Sequence, residues 1–255
     1  GNVLHLVTDP DVLRVIQFFK KSNPILLIHA SKYDEFRETI LAELEHKISI
    51  RYAYLRTATQ TQRIEYDLDR TIEKIIYLSD RNSYVILTPV VRYGAVEIPV
   101  YSRKQIYDTD QNGNVFQIER DDELEIQFMS VVVQQHPDFE EQLQEMDFFY
   151  LHKDRFLDED WFLDAFQAWK NEGITVLGFN ELTNNRLNQH KARVSIQVTS
   201  GTDWFDTSME IKYGKQKASL KQLHKAIRNK SKFVQLGDGT MGILPEEWMK
   251  KIEAF

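Results

Sequence analysis

The spacing of apolar residues changes repeatedly along this chain, and those changes bound what it can fold into. Over the first fifty residues, strand-like runs at 5–7 and 25–29 alternate with helical spacing at 11–20 and 33–46. In the second of these helices Phe36, Ile40, Leu41 and Leu44 fall on one stripe. From Ile48 to Ile118 the period shortens. Runs of β-branched and aromatic residues at 48–55, 75–78, 84–92, 97–101 and 105–107 are separated by turn residues, which predicts an antiparallel, strand-rich sheet.

From Arg120 the helical period returns, with Leu124, Phe128, Val131 and Val132 on one face until Pro137 interrupts it. A second helix over 158–170 presents Trp161, Phe162, Ala165, Phe166 and Trp169 together, most simply as core, and stops at Gly173. Further on, Val194, Ile196 and Val198 alternate with polar residues, and Phe205, Met209, Ile211 and Tyr213 alternate on the return, a hairpin. Ser219 caps a helix with Leu220, Leu223 and Ile227 inward, and a second hairpin, 233–236 with 240–244, turns through Gly237-Asp238-Gly239. Pro245 opens a terminal helix. The expected fold is α+β: an antiparallel strand-rich region with helices over 1–145, then a subdomain over 146–255 ending in a hairpin–helix–hairpin–helix unit.

With 255 residues, 42% hydrophobic and 12% aromatic, the chain can bury a sizeable core and is not disordered. It has no cysteine, which excludes disulfides, thiolate metal sites and cysteine nucleophiles and fits a reducing, cytoplasmic setting. Its apolar runs are strand-sized, so no membrane span is expected, and the start shows no signal-peptide pattern. The chain reads as a region of a larger intracellular protein.

Catalytic motifs are absent. Gly214-Lys215 is followed by Gln216, not Ser or Thr, so there is no P-loop, and neither a dinucleotide fingerprint nor a nucleophile elbow occurs. The seven histidines are scattered without metal-ligand spacing, and with 39 acidic residues paired carboxylates carry no information. No acid, base or nucleophile constellation supports an enzyme.

Two features bear on binding. The stretch from Asp108 through Asp110, Asn112 and Gly113 to Glu119 matches the spacing of a calcium loop. Its flanks look like strands, however, and Asn112-Gly113 is a strong hairpin signal, so a plain turn is the preferred reading and a bound calcium the alternative. The second feature is basic. Net charge is −7, yet Lys212, Lys215, Lys217, Lys221, Lys225, Arg228, Lys230 and Lys232 cluster around a single acid, Glu210. Lys221, Lys225 and Arg228 stand at i, i+4 and i+7 on the Ser219-capped helix. A solvated helix face and a grip on nucleic-acid phosphates both fit, and Trp204 is either covered by a second layer or free to stack on a base.

The C-terminal motifs carry a resemblance. Val194 to Asp206, containing Ser200-Gly201-Thr202-Asp203-Trp204-Phe205-Asp206, then Tyr213-Gly214, then Phe233 to Trp248, containing Gly237-Asp238-Gly239-Thr240-Met241-Gly242-Ile243-Leu244-Pro245-Glu246-Glu247-Trp248, closely resemble the bacterial Swi/Snf helicase-associated domain. Residues 84–94 and the helix before Gly173 are similar more weakly, and residues 1–45 are not placed by the motifs. The resemblance implies a non-catalytic accessory region lying before the ATPase core of a helicase-like protein that moves on duplex DNA. It implies the motor of the same polypeptide as partner, with ATP and magnesium needed only there and no cofactor here. Trp204, Phe205, Asp206, Gly237, Asp238, Gly239, Pro245 and Trp248 read as fold determinants: Gly239 for a positive φ, Pro245 as a helix start, Phe205 and Trp248 as packing anchors.

Overall fold

The structure, a computed structural model, describes residues 9–21, 25–68, 72–157, 159–200, 205–229 and 231–245. Helices and mostly antiparallel strands give an α+β fold in two compact units, residues 1–75 with 88–148, and residues 76–87 with 149–255. The expected division was 1–145 and 146–255. Residues 76–87, the tip of the hairpin formed by strands Ile72–Arg81 and Tyr84–Tyr93, group with the second unit because Tyr84 to Leu87 pair antiparallel with Phe149–His152.

In the first unit, helix Pro10–Lys21 begins where Asp9 Oδ1 accepts the amides of Asp11 and Val12 and Pro10 gives up no needed donor. The helical stripe over 33–46 is realised as a turn at Tyr33–Phe36, a wider π turn at Arg37–Leu41 and a further turn at Ala42–Leu44. Two expected strands do not form. Residues 25–29 take no strand pairing, and Ile25, Leu26 and Leu27 are exposed. In 48–55, the Tyr52 amide is satisfied by the Gln105 side chain (3.0 Å) instead of a neighbouring strand. Only Arg56–Thr57 pairs, parallel to Val115–Ile118, which in turn pairs antiparallel with Ile106–Thr109. Val90 to Tyr93 pair antiparallel with Val96–Pro99, and helix Asp122–Val133, capped by Asp121, buries Phe128, Met129 and Val132. Val131, expected on that face, is only half-buried.

The second unit has two apolar centres. Helix Glu159–Asn171 packs Phe162, Phe166 and Trp169 with Phe156 and Phe179, the Phe162 and Phe179 rings stacking at 5.3 Å, so the aromatic stripe is core. The other centre gathers Ile211, Tyr213, Leu223, Ala226, Val234, Leu236 and Leu244. It is built by hairpin Ala192–Ser200 with Phe205–Tyr213, the short strand Gln216–Ala218, helix Leu220–Arg228, and hairpin Phe233–Gln235 with Met241–Ile243. Gly242 lets the Tyr213 ring lie flat against the backbone, since a Cβ there would sit 2.7 Å from ring carbons, and the Tyr213 hydroxyl donates to the Ile243 carbonyl at 3.1 Å. The strand expected at 5–7, the hairpin tip 201–204 and the terminal helix after Pro245 lie outside the described residues.

Candidate nucleic-acid interface

Helix Leu220–Arg228 starts with a reciprocal cap: Ser219 Oγ accepts the Gln222 amide, and Gln222 Oε1 accepts the Ser219 amide at 3.0 Å. Leu223 and Ala226 face the core with Ile227 at its margin. Leu220, expected inward, is 50% exposed because, as the first helical residue, it projects past the end of that core. The opposite face carries Lys221, Lys225 and Arg228, all exposed. Among the described residues no carboxylate pairs with any of the three.

Lys212, Lys215 and Lys217 surround the tight turn at Tyr213-Gly214-Lys215-Gln216. Lys212 and Lys217 stand directly opposite one another, a repulsive arrangement that Glu210 relieves by bonding both ammonium groups. Those bonds, Lys212 first and Lys217 second, hold the Glu210 carboxyl below its ordinary range. Lys215 has no ion-pair partner among the described residues, whereas Lys230 lies outside them.

A groove of about 590 Å³ opens beside this turn, and it adds residues that the sequence reading passed over. Lys170 near the end of helix Glu159–Asn171, with Lys191 and Arg193 at the start of strand Ala192–Ser200, joins Lys212 and Lys215 on its walls. Lys191 bonds Asp164, while Lys170 and Arg193 have no such partner among the described residues. The missed signal is spatial: Lys170 lies more than twenty positions before Arg193 and was read only as the end of a packing helix. His190 lies against Gly214, where a Cβ would come within 2.2 Å of the ring. Its amide is held by Asn188 (3.0 Å), and Asn188 is buried and bonds the Met241 carbonyl through its own amide (2.9 Å). Burial, then Lys170 and Arg193, lower the His190 pKa, so the ring is held neutral amid positive charge.

The Asp108–Glu119 stretch is a hairpin turn between two strands, with Gly113 at φ +81°. Asp110 accepts from the amides of Asn112 and Asn114 and from the side chains of Asn114 and Gln62, which commits its carboxylate to holding the turn. Asp108 caps Thr109, Asn112 and Glu119 are exposed, and no group of three histidine or carboxylate residues converges as a metal cage among the described residues. Of the family-motif residues, Asp238 closes the second hairpin by accepting the Thr240 amide (3.0 Å) and hydroxyl (2.7 Å), Gly239 has φ +88°, and Gly237 lies at the same exposed turn. Pro245 is half-buried after the last strand; Phe205 and Asp206 begin the return strand, and Trp204 and Trp248 lie outside the described residues.

No helix among the described residues is long and apolar enough to cross a membrane. No curated protein and no solved structure matches the chain. A family model described as bacterial SNF2 helicase associated matches residues 2–255, extending the likeness from the C-terminal motifs to the first forty-five residues that those motifs left unplaced. With its hairpin, capped helix and glycine-anchored second hairpin all inside that match, the chain belongs to the bacterial SNF2 helicase-associated family.

Proposed function

We propose that this chain is a non-catalytic accessory region of a cytoplasmic, bacterial Swi/Snf-type ATP-dependent helicase, that it positions or regulates the motor of the same polypeptide, and that its lysine patch makes weak, sequence-independent contacts with duplex DNA. The observation that carries the DNA contact is the exposed row Lys221, Lys225 and Arg228 on a capped helix, without a carboxylate partner among the described residues and backed by Lys212, Lys215 and Lys217. Cations with no ion-pair partner among the described residues can meet a phosphate backbone and release its counterions without breaking any ion pair seen there. Fluorescence anisotropy with a short duplex at graded salt tests it. The triple reversal K221E/K225E/R228E is expected to lose affinity and to flatten the log–log salt slope by about one per lost contact. Unmeasurable binding of the unaltered protein at low salt would overturn the DNA contact.

Contact with the motor is supported by a different observation. Val194, Ile196 and Val198, which alternate with polar residues along their strand, are 40%, 64% and 60% exposed on one face of their hairpin. Such a row suits burial against a protein partner, and the family association supports the motor as that partner. Ile196→Asp is expected to weaken binding of the separately produced motor domain while leaving the melting temperature of this chain in place. Undiminished binding would remove this row from the interface.

A further inference from the structure

We infer that the groove walled by Lys170, Lys191, Arg193, Lys212 and Lys215 is a second phosphate-contact site, taking the phosphodiester backbone of nucleic acid, with Lys170 and Arg193 as its principal contacts. This deepens the DNA-binding reading above and rests on it.

Among the described residues the groove's walls bring together five cationic side chains and no carboxylate, in a chain whose net charge is −7. Lys191 and Lys212 are paired to Asp164 and Glu210, so the groove's excess positive charge comes from its other three cations. Lys170, Arg193 and Lys215 are exposed and serve no ion pair among the described residues, so holding the fold together does not account for them. Like charges gathered at one concavity repel, and an anion seated between them removes that repulsion. The position of the wall is not left to flexible side chains alone. Gly214 admits the His190 ring, and Asn188 ties the same segment to the second hairpin, which fixes where Lys191 and Arg193 leave the backbone.

The floor distinguishes a polymer backbone from a small inorganic anion. Phe166, Ile174 and Val176 are also among the groove's lining and give it apolar surface. A bare phosphate gains nothing from such a floor, whereas the sugar faces between successive phosphates of a strand can lie on it while the phosphates meet the rims. Arg193 can also hold a phosphate through two parallel N–H bonds, which a lysine cannot do.

The test compares the unaltered chain with K170Q/R193Q and with R193K, using anisotropy of a short labelled duplex across a salt series and, separately, inorganic tripolyphosphate as a ligand read by thermal shift. The inference expects K170Q/R193Q to bind the duplex more weakly, with a salt slope flatter by about two, one for each lost contact. R193K, which keeps the charge, should retain the slope. Because both positions are exposed, melting temperatures should stay together; if the double variant melted lower, R193Q alone would be read in its place. Duplex binding by K170Q/R193Q with unaltered slope, while K221E/K225E/R228E loses affinity, would overturn the groove and leave the helix reading standing. Absence of duplex binding by the unaltered chain would overturn both. Tripolyphosphate stabilisation lost in K170Q/R193Q with duplex binding unchanged would assign the groove to a free polyphosphate and overturn the nucleic-acid inference.

Discussion

Gly178→Ala is expected to destabilise the second unit by about 3 kcal/mol or more, read as a lowered urea midpoint at unchanged slope. Two independent terms add. Gly178 has φ +87°, where an L side chain is strained by about 1–2 kcal/mol. A Cβ at this position would also lie 2.2 Å from the Leu78 carbonyl oxygen, and 3.2 and 3.3 Å from the Leu78 carbonyl carbon and amide nitrogen. The obstacle is backbone in the middle of a strand, so it cannot swing away as a side-chain tip would. Gly239→Ala supplies the comparison. Its φ of +88° is nearly identical, but nothing lies within 4 Å of the added carbon, so only the conformational strain should be felt. The difference between the two variants therefore measures the clash alone. Equal midpoints would mean that the strand at Leu78 yields, and the close approach would lose its place in the account of this unit.

How much of this was legible in the sequence depended on whether the deciding partner was local. Ser219 and its helix could be read because cap and helix are adjacent, and the aromatic stripe of helix Glu159–Asn171 because its spacing is internal. Helix Gln60–Glu65 carries an equally clear Thr59–Gln62 capping box and was missed because the surrounding residues were read at strand period. Residues 25–29 and 48–55 have strand composition, but strand formation needs a neighbour to take the backbone groups, and composition does not say whether one arrives. The same limit governs the candidate interface. Lys221, Lys225 and Arg228 share a helix and could be found by counting residues, whereas Lys170 and Arg193 meet only through folding. Glu210 was noted as the lone acid in the basic run, yet its pairing across two strands with Lys212 and Lys217 follows from register.

The pair formed by half-buried Arg120 and buried Glu125 belongs to the same class of tertiary information and gives the other large expected effect. Glu125, 5% exposed, accepts the Tyr93 hydroxyl at 2.5 Å and both Arg120 Nε (2.9 Å) and Nη2 (2.5 Å). Arg120 in turn donates to the carbonyls of Val100 and Ser102, and the Asp121 amide donates to the Tyr93 hydroxyl at 2.9 Å. Every member is therefore satisfied, and the helix Asp122–Val133 is joined to the strand Tyr84–Tyr93 through polar contacts. Truncating one partner strands the other charge in the interior, so Glu125→Ala is expected to cost the first unit about 3–5 kcal/mol by urea unfolding. Glu125→Gln, which keeps an acceptor for Tyr93 but not the charge opposite Arg120, should fall between that variant and the unaltered chain. A cost for Glu125→Ala below about 1 kcal/mol would mean that water reaches Arg120 and replaces the carboxylate. The pH dependence follows with a definite sign. Burial first, and the Glu125 bond second, push the Tyr93 phenol above its ordinary pKa, so its neutral form is favoured by folding. Its contribution is complete below about pH 10, where the unfolded phenol begins to ionise, and is lost as the pH rises further. In Tyr93→Phe that alkaline loss should diminish while the neutral-pH cost remains, because Glu125 then keeps Arg120 but loses its third donor.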